Sequence, residues 1–104
     1  MMTIFNRYGG LSLIRQVGEN IVMRWEGCQD ILLETLVVTD REATIRVRDV
    51  EFTLSIGQSI EVPGPSDDRP AMVVITLDDL AGERAALRLL APKRVRIIRS
   101  EKLV

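Results

Sequence analysis

Apolar and polar residues alternate along short segments of this chain. The alternation is clearest at residues 19–23, 44–48, 52–56 and 94–97. A repeat of two residues is typical of strands that bury one face. Turn-forming residues cluster between these segments, at 9–10, 39–41, 57–58, 63–68 and 78–79. The pattern predicts an all-β fold.

Residues 80–90 are the main ambiguity in this pattern. They are rich in Ala, Leu and Arg, which favour helices. Turn-forming residues flank the segment, however, and Pro92 follows it. We therefore expect a strand here, and no more than a turn in residues 101–104.

The chain contains an apparent internal repeat. Residues 17–23 (VGENIVM) recur thirty-nine positions later as 56–62 (IGQSIEV), and residues 42–47 (EATIRV) recur forty-two positions later as 84–89 (RAALRL). The order is kept, and the difference of three residues fits in the proline-rich segment after Val62. We expect one domain, 1–104, containing a repeat of 11–50 in 51–104.

Composition and residue types narrow the functional classes. The 104 residues are 46% hydrophobic and 28% charged, which suits one globular domain and excludes a disordered chain. No apolar run approaches the roughly 18 residues that cross a membrane, so we expect a cytoplasmic protein without a membrane partner. Histidine is absent and Cys28 is the single cysteine, which removes the usual general base and an internal disulfide. We expect no enzyme activity, no cofactor and no metal, and we interpret Asp67-Asp68 and Asp78-Asp79 as turn residues.

The net charge of −1 hides an uneven distribution. From residue 84 onward there are seven basic residues and one acid, Glu101, which gives +6, whereas residues 1–83 carry −7. A basic stretch favours nucleic acid because neutralising phosphates releases counterions. Charge alone leaves a second interpretation open, namely a solvated strand face paired with acids elsewhere.

Two blocks resemble a known family. Residues 11–21 (LSLIRQVGENI) resemble the opening of the carbon storage regulator family (CsrA, RsmA), which are small bacterial RNA-binding proteins. The second block is VVITL at 73–77, followed by Gly82, Arg84, Ala91-Pro92-Lys93 and the run to Glu101. The resemblance implies a small antiparallel β-sandwich, barrel-like in form. In this fold two five-stranded units interleave as a dimer, with the first strand of one beside the fifth strand of the other.

The resemblance also implies a function and a site. Members of the family bind GGA elements in messenger RNA and control translation, and small regulatory RNAs are a second class of partner. Carried over residue by residue, the RNA-binding set in this chain is Leu13, Arg15, Lys93, Val95, Ile97 and Arg99.

The chain departs from the family in several places. Gln16 replaces the second arginine of the first strand, Asp79 replaces a turn glycine, and the terminal helix is missing, so we expect weaker phosphate binding. Residues 24–72 are either part of a repeat, which makes the chain a monomeric pseudo-dimer, or an insertion into one subunit of a homodimer. The alternative function is a CsrA-like fold that has lost RNA binding and acts as a protein-interaction module.

The repeat has a consequence for a second RNA site. Shifting Leu13 and Arg15 by thirty-nine gives Phe52 and Leu54, and shifting Arg99 back by forty-two gives Gly57. The second site would therefore have no arginine. A pseudo-dimer of nine strands with one RNA site is the expectation.

Overall fold

All regular elements of the described residues are strands. The structure, a computed structural model, describes residues 11–64, 72–92 and 95–99. It confirms the all-β prediction, and residues 80–90 contain no helix but the end of one strand, a turn at 82–83 and the next strand. These residues include no helix with the length and apolar character needed to cross a membrane. The strands are β1 (Leu11–Gln16), β2 (Asn20–Trp25), β3 (Ile31–Val38), β4 (Glu42–Val47), β5 (Val50–Ser55), β6 (Ser59–Val62), β7 (Val73–Ala81), β8 (Arg84–Leu90) and β9 (Val95–Arg99).

The strands form two antiparallel sheets, and each sheet includes a strand from the other half of the chain. One sheet has the order β1-β8-β7-β6 and the other the order β5-β4-β3-β2-β9. Strand β1 therefore lies in the sheet made from the later strands. Strand β9 lies at the edge of the sheet made mainly from the earlier ones.

Alternate residues of both sheets form one hydrophobic core. On β4 the buried residues are Ala43, Ile45 and Val47, and on β8 they are Ala85, Leu87 and Leu89. The inner residues of β2, β3 and β7 join the same cluster, and Leu13 and Ile97 pack against it. Removing these apolar side chains from water is the main stabilising contribution to such a fold.

Two glycine turns have the same main-chain geometry. Gly18 has a φ of 89° and Gly57 a φ of 91°, a region that glycine adopts without strain. The Gly18 N–H donates to the Thr35 carbonyl at 2.9 Å, and the Gly57 N–H donates to the Leu77 carbonyl at 2.7 Å. The N–H groups of Thr35 and Leu77 donate back across the turn, to the carbonyls of Glu19 and Gln58, at 3.3 and 3.0 Å. The two sets of contacts match when Gly18 and Glu19 are shifted by thirty-nine positions and Thr35 is shifted by forty-two.

The correspondence extends to side chains and bulges. The Gln16 N–H donates to Glu19 Oε1 at 2.7 Å, and the Ser55 N–H donates to Gln58 Oε1 at 2.8 Å. The β3–β4 register shifts after Thr35, and the β7–β8 register shifts after Leu77. Positions related by these shifts are called equivalent below. The duplication itself stays a prediction.

The interpretation of Asp78-Asp79 as a turn is wrong. Both residues lie inside β7, where the pairing with β8 shifts between Leu77 and Asp79. Asp79 accepts a hydrogen bond from the Leu80 N–H at 2.8 Å, and Asp78 forms an ion pair with Arg88 at 3.1 Å. A β-bulge tolerates such residues because it leaves main-chain groups that a short polar side chain can satisfy. The turn itself follows at Gly82, where φ is 64°.

A tight hairpin connects β4 to β5. Arg48 and Asp49 have φ values of 53° and 65°, as expected for a two-residue hairpin turn. This hairpin pairs β5 with β4, just as β1 pairs with β8. Among the described residues, β5 is consequently the equivalent of β1, and β9 has no equivalent strand.

Candidate RNA interface

The predicted RNA-binding residues lie on two edge strands of different sheets. Strand β1 is an edge of the four-stranded sheet and β9 an edge of the five-stranded sheet, so the two strands are not paired. Strand β2 follows β1 in the chain and pairs with β9. Arg15 Nη1 donates to the Asn20 carbonyl at 3.4 Å, and the next residue, Ile21, lies opposite Arg99. The structure thus brings the Arg15 end of β1 and the Arg99 end of β9 to the same end of β2.

Arg15 is buried within the fold. Its exposed fraction is 4%, and its Nε donates to the Ile14 carbonyl at 2.8 Å. Leu13 points to the same side of β1 and is half-buried against the core. The geometry therefore suits Arg15 as a residue that positions the β1–β2 corner rather than as a direct RNA contact.

The main chain of β9 has polar groups on its open side. The Glu19 carbonyl accepts from the Thr35 N–H, so alternation directs Ile21 and Met23 toward β3 and their neighbour Val22 toward β9. Val22 lies opposite Ile98 in the β2–β9 register. By the same alternation, the main-chain groups of Ile97 and Arg99 face away from β2, on the side where no other described strand pairs with β9. This side is called the open edge of β9.

The side chains of β9 divide between two faces. Val95 is buried and Ile97 and Arg99 are half-buried, whereas Arg96 is exposed on the opposite face. This matches the predicted grouping of Val95, Ile97 and Arg99. Lys93 lies outside the described residues.

Sequence reasoning missed Arg84 as a neighbour of Gln16 at the end of β1. Arg84 lies opposite Gln16 in the β1–β8 register and is exposed. With the Gln16 amide oriented for hydrogen bonding, its oxygen accepts from Arg84 Nε at 3.0 Å and from Nη2 at 3.2 Å. A cation therefore lies beside the position where Gln16 replaces the family's arginine. Only the strand register reveals this, since Gln16 and Arg84 are far apart in the sequence.

Two arginines on the outer face of the five-stranded sheet have carboxylate partners. Arg24 forms an ion pair with Asp30 at 2.8 Å, and Arg46 forms one with Glu34. The hydrogen bond from Arg24 lowers the pKa of Asp30 and raises the pKa of Arg24 itself. The hydrogen bond to Glu34 likewise raises the pKa of Arg46. Both guanidinium groups stay charged, but because each already has a carboxylate partner, Arg24 and Arg46 are poor phosphate contacts.

Known proteins add no assignment to this geometry. No protein family, curated protein or solved structure was found to match the chain. Within the described ranges, no group of three or more His, Cys, Asp and Glu residues is arranged to hold a metal ion. The family resemblance therefore has the residues of the two blocks as its basis.

Proposed function

We propose that this chain is an RNA-binding post-transcriptional regulator of the carbon storage regulator type, which occupies GGA elements in messenger RNA and controls translation. The observation that supports this most is the exchange of strands between the sheets. Strand β1 joins β8, and β9 joins β2. The resemblance implies an exchange of strands between two subunits, and here an exchange occurs within one chain, although β1 and β9 are edge strands of different sheets and are not paired with each other.

The proposed contact surface combines the open edge of β9 with the cations near it. The outward main-chain groups of Ile97 and Arg99 can hydrogen-bond to base edges. The Arg99 guanidinium can grip a phosphate or a guanine with paired donors. Arg84 adds positive charge beside Gln16, and Arg15 holds the β1–β2 corner in place. Leu13 and Val95 support this surface from the core side, and Lys93 remains a predicted contact.

One RNA site per chain follows from the proposal. The second half has Phe52 and Leu54 in place of Leu13 and Arg15, and the described residues contain no equivalent of β9. We expect a monomer of 11.7 kDa that binds one hairpin. A dimer with two hairpins, measured by light scattering and titration, would instead favour the interpretation of 24–72 as an insertion.

The central experiment measures binding to a GGA hairpin by fluorescence anisotropy at two salt concentrations. A hairpin with an altered GGA element is the RNA control. Arg99→Ala should weaken binding by about 1–3 kcal/mol, the scale of one good arginine contact. Arg96→Ala is the matched control on the opposite face of β9, and it should change the affinity little. Equal effects of the two variants would contradict the site.

The burial of Arg15 favours a second candidate function. The first-strand arginine is 4% exposed and the next residue is glutamine, so the chain offers neither of the two cationic contacts that the resemblance implies for this strand. The second candidate is therefore a protein-interaction module that keeps the fold without binding RNA. It predicts no hairpin affinity for the unmodified protein, even at low salt, and that result would contradict the RNA-binding proposal.

A further inference from the structure

The two halves of the molecule differ in what covers one strand edge. Strand β2 pairs with β3 on one side and with β9 on the other. Its equivalent, β6, pairs with β7 on one side and has no strand on the other among the described residues. Sheets with an open edge are templates for an added strand.

A cleft lies beside this open edge. Its volume is about 190 Å³, and apolar side chains dominate its lining. Val62, one of its lining residues, is 4% exposed and belongs to the core, and Phe52 packs against the same core. The equivalents of Phe52 and Val62 in the first half are Leu13 and Met23, and Met23 lies opposite Ile97 of β9. The lining residues are Val47, Arg48, Val50, Phe52, Glu61, Val62 and Pro63.

The main chain of β6 offers a short ladder for such a strand. The Gln58 carbonyl accepts from the Leu77 N–H, so alternation directs Ile60 and Val62 toward β7. The main-chain groups of Ser59 and Glu61 therefore face outward. Pro63 ends the ladder because it has no N–H, and its carbonyl already accepts from Arg48 Nη2 at 2.9 Å.

The charge at the edge indicates what kind of chain would bind. Glu61 is exposed at the centre of the edge, where the first half has the apolar Val22. Arg48 also lines the cleft, but its guanidinium is turned to the Pro63 carbonyl, so the charged group on the strand edge itself is the Glu61 carboxylate, which disfavours RNA and favours a basic side chain beside it. The strand that covers the equivalent edge, β9, has the sequence VRIIR, in which apolar residues are interspersed with arginines.

We propose that the open edge of β6 and the adjoining cleft bind an extended basic segment of another protein as an added antiparallel strand. Alternate apolar side chains of the segment enter the cleft beside Phe52 and Val62. Its main chain pairs with Ser59 and Glu61, and its basic side chains lie next to the Glu61 carboxylate. This site is distinct from the RNA surface and does not depend on it.

The test uses the full chain and a labelled synthetic peptide of residues 93–102 (KRVRIIRSEK), which resembles the natural cover of the equivalent edge. We expect saturable binding of one peptide per chain by fluorescence anisotropy. A peptide carrying Ile98→Pro, which lacks the N–H expected to face Glu61, should bind at least tenfold more weakly. The protein variant Glu61→Lys should weaken the unmodified peptide at least tenfold and leave hairpin binding unchanged.

Three results would overturn the proposal. The first is the absence of saturable peptide binding. The second is unchanged peptide binding by both Glu61→Lys and Glu61→Pro, which would mean that the peptide replaces β9 on β2. The third is a dimer in light scattering that Glu61→Lys dissociates, because a second copy would then occupy the edge. Circular dichroism of each variant confirms that the sheets are intact.

Discussion

The β1–β2 corner at Gly18 and the β5–β6 corner at Gly57 share one main-chain arrangement and differ in their side chains. They are called the first and the second corner. In the first corner the buried residues are Arg15 and Thr35, which are 4% and 2% exposed. In the second corner the equivalent residues are Leu54 and Leu77, which are 4% and 0% exposed. The main-chain hydrogen bonds around Gly18 and Gly57 are the same in both. The backbone therefore defines the corner, and the buried side chains are free to differ in polarity.

The polar corner is the more costly of the two. The Arg15 guanidinium donates to two main-chain carbonyls, but Thr35 Oγ1 is buried and has no hydrogen-bond partner among the described residues. A buried unsatisfied polar group costs about 1–3 kcal/mol. The polar corner lies beside β9, where the proposed RNA surface is. A functional surface next to this corner gives a reason for its polar side chains.

The largest effect is expected when the second corner receives a charge. Leu54→Arg places a guanidinium in the second corner, where the two buried residues, Leu54 and Leu77, are both apolar. An uncompensated buried charge should lower the free energy of unfolding by about 3–5 kcal/mol, measured by urea denaturation. Leu54→Met is the matched control and should cost less than about 1.5 kcal/mol. Similar stability of the two variants would show that main-chain acceptors alone satisfy an arginine here, so that the corners are interchangeable.

The next effect tests the feature that the corners share. Gly18→Ala and Gly57→Ala should each cost about 1–2 kcal/mol, because their φ values near 90° are unfavourable for alanine. A Cβ atom at either position would meet nothing within 4 Å, so backbone strain alone sets the cost. The two losses, measured in urea, should therefore agree. A difference above about 1 kcal/mol would mean that the turns are not energetically equivalent.

Local alternation accounts for the part of the fold that the sequence predicts. Residues 44–48 alternate strictly, and β4 has the expected buried face. Asp78-Asp79 was misinterpreted because a bulge inside a strand uses the same residue types as a turn. The alternation also places Arg15 on the inner face of β1, beside core residues. From the sequence alone, a basic residue buried on that face looks the same as one that contacts RNA, because the elements that cover the face are not known.

The candidate site was harder to predict because it depends on strand order. Residues 95–99 could be recognised as a strand, but their pairing with β2 joins residues that are seventy or more positions apart. The proximity of Gln16 and Arg84 depends on the β1–β8 register in the same way. Neither contact leaves a local pattern. The open edge of β6 follows from the same non-local pairing and from the β4–β5 hairpin.

A smaller effect of opposite sign is expected at Thr35. Thr35→Val removes the unsatisfied hydroxyl and keeps the side-chain volume, so the protein should become more stable by about 1 kcal/mol. The reverse change at the equivalent position, Leu77→Thr, should destabilise the apolar corner. Thermal and urea unfolding of both variants would measure the difference. A destabilised Thr35→Val protein would indicate that the hydroxyl has a hydrogen-bond partner in solution.

The smallest effect concerns the ion pair between Arg24 and Asp30, which joins the two ends of the β2–β3 loop. Arg24 and Asp30 lie at its two ends, whereas the second half has Pro63 and Met72 in their places. Both charged side chains are well exposed, at 43% and 39%, so their contribution to stability is modest. Asp30→Asn should therefore lower the urea midpoint slightly at neutral pH. Glu26→Gln, which removes an exposed carboxylate from the same loop, is the matched control.

The pH dependence gives the sharper test of this pair. The hydrogen bond from Arg24 lowers the pKa of Asp30 in the folded state, so folding favours the ionised carboxylate. Its contribution is present above the unfolded pKa of about 3.9 and is lost as the pH falls through the lower folded value. The urea midpoints of the unmodified protein and of Asp30→Asn should therefore differ at neutral pH and converge in acid. A difference in urea midpoint that stays constant across this range would mean that the ion pair does not form in solution.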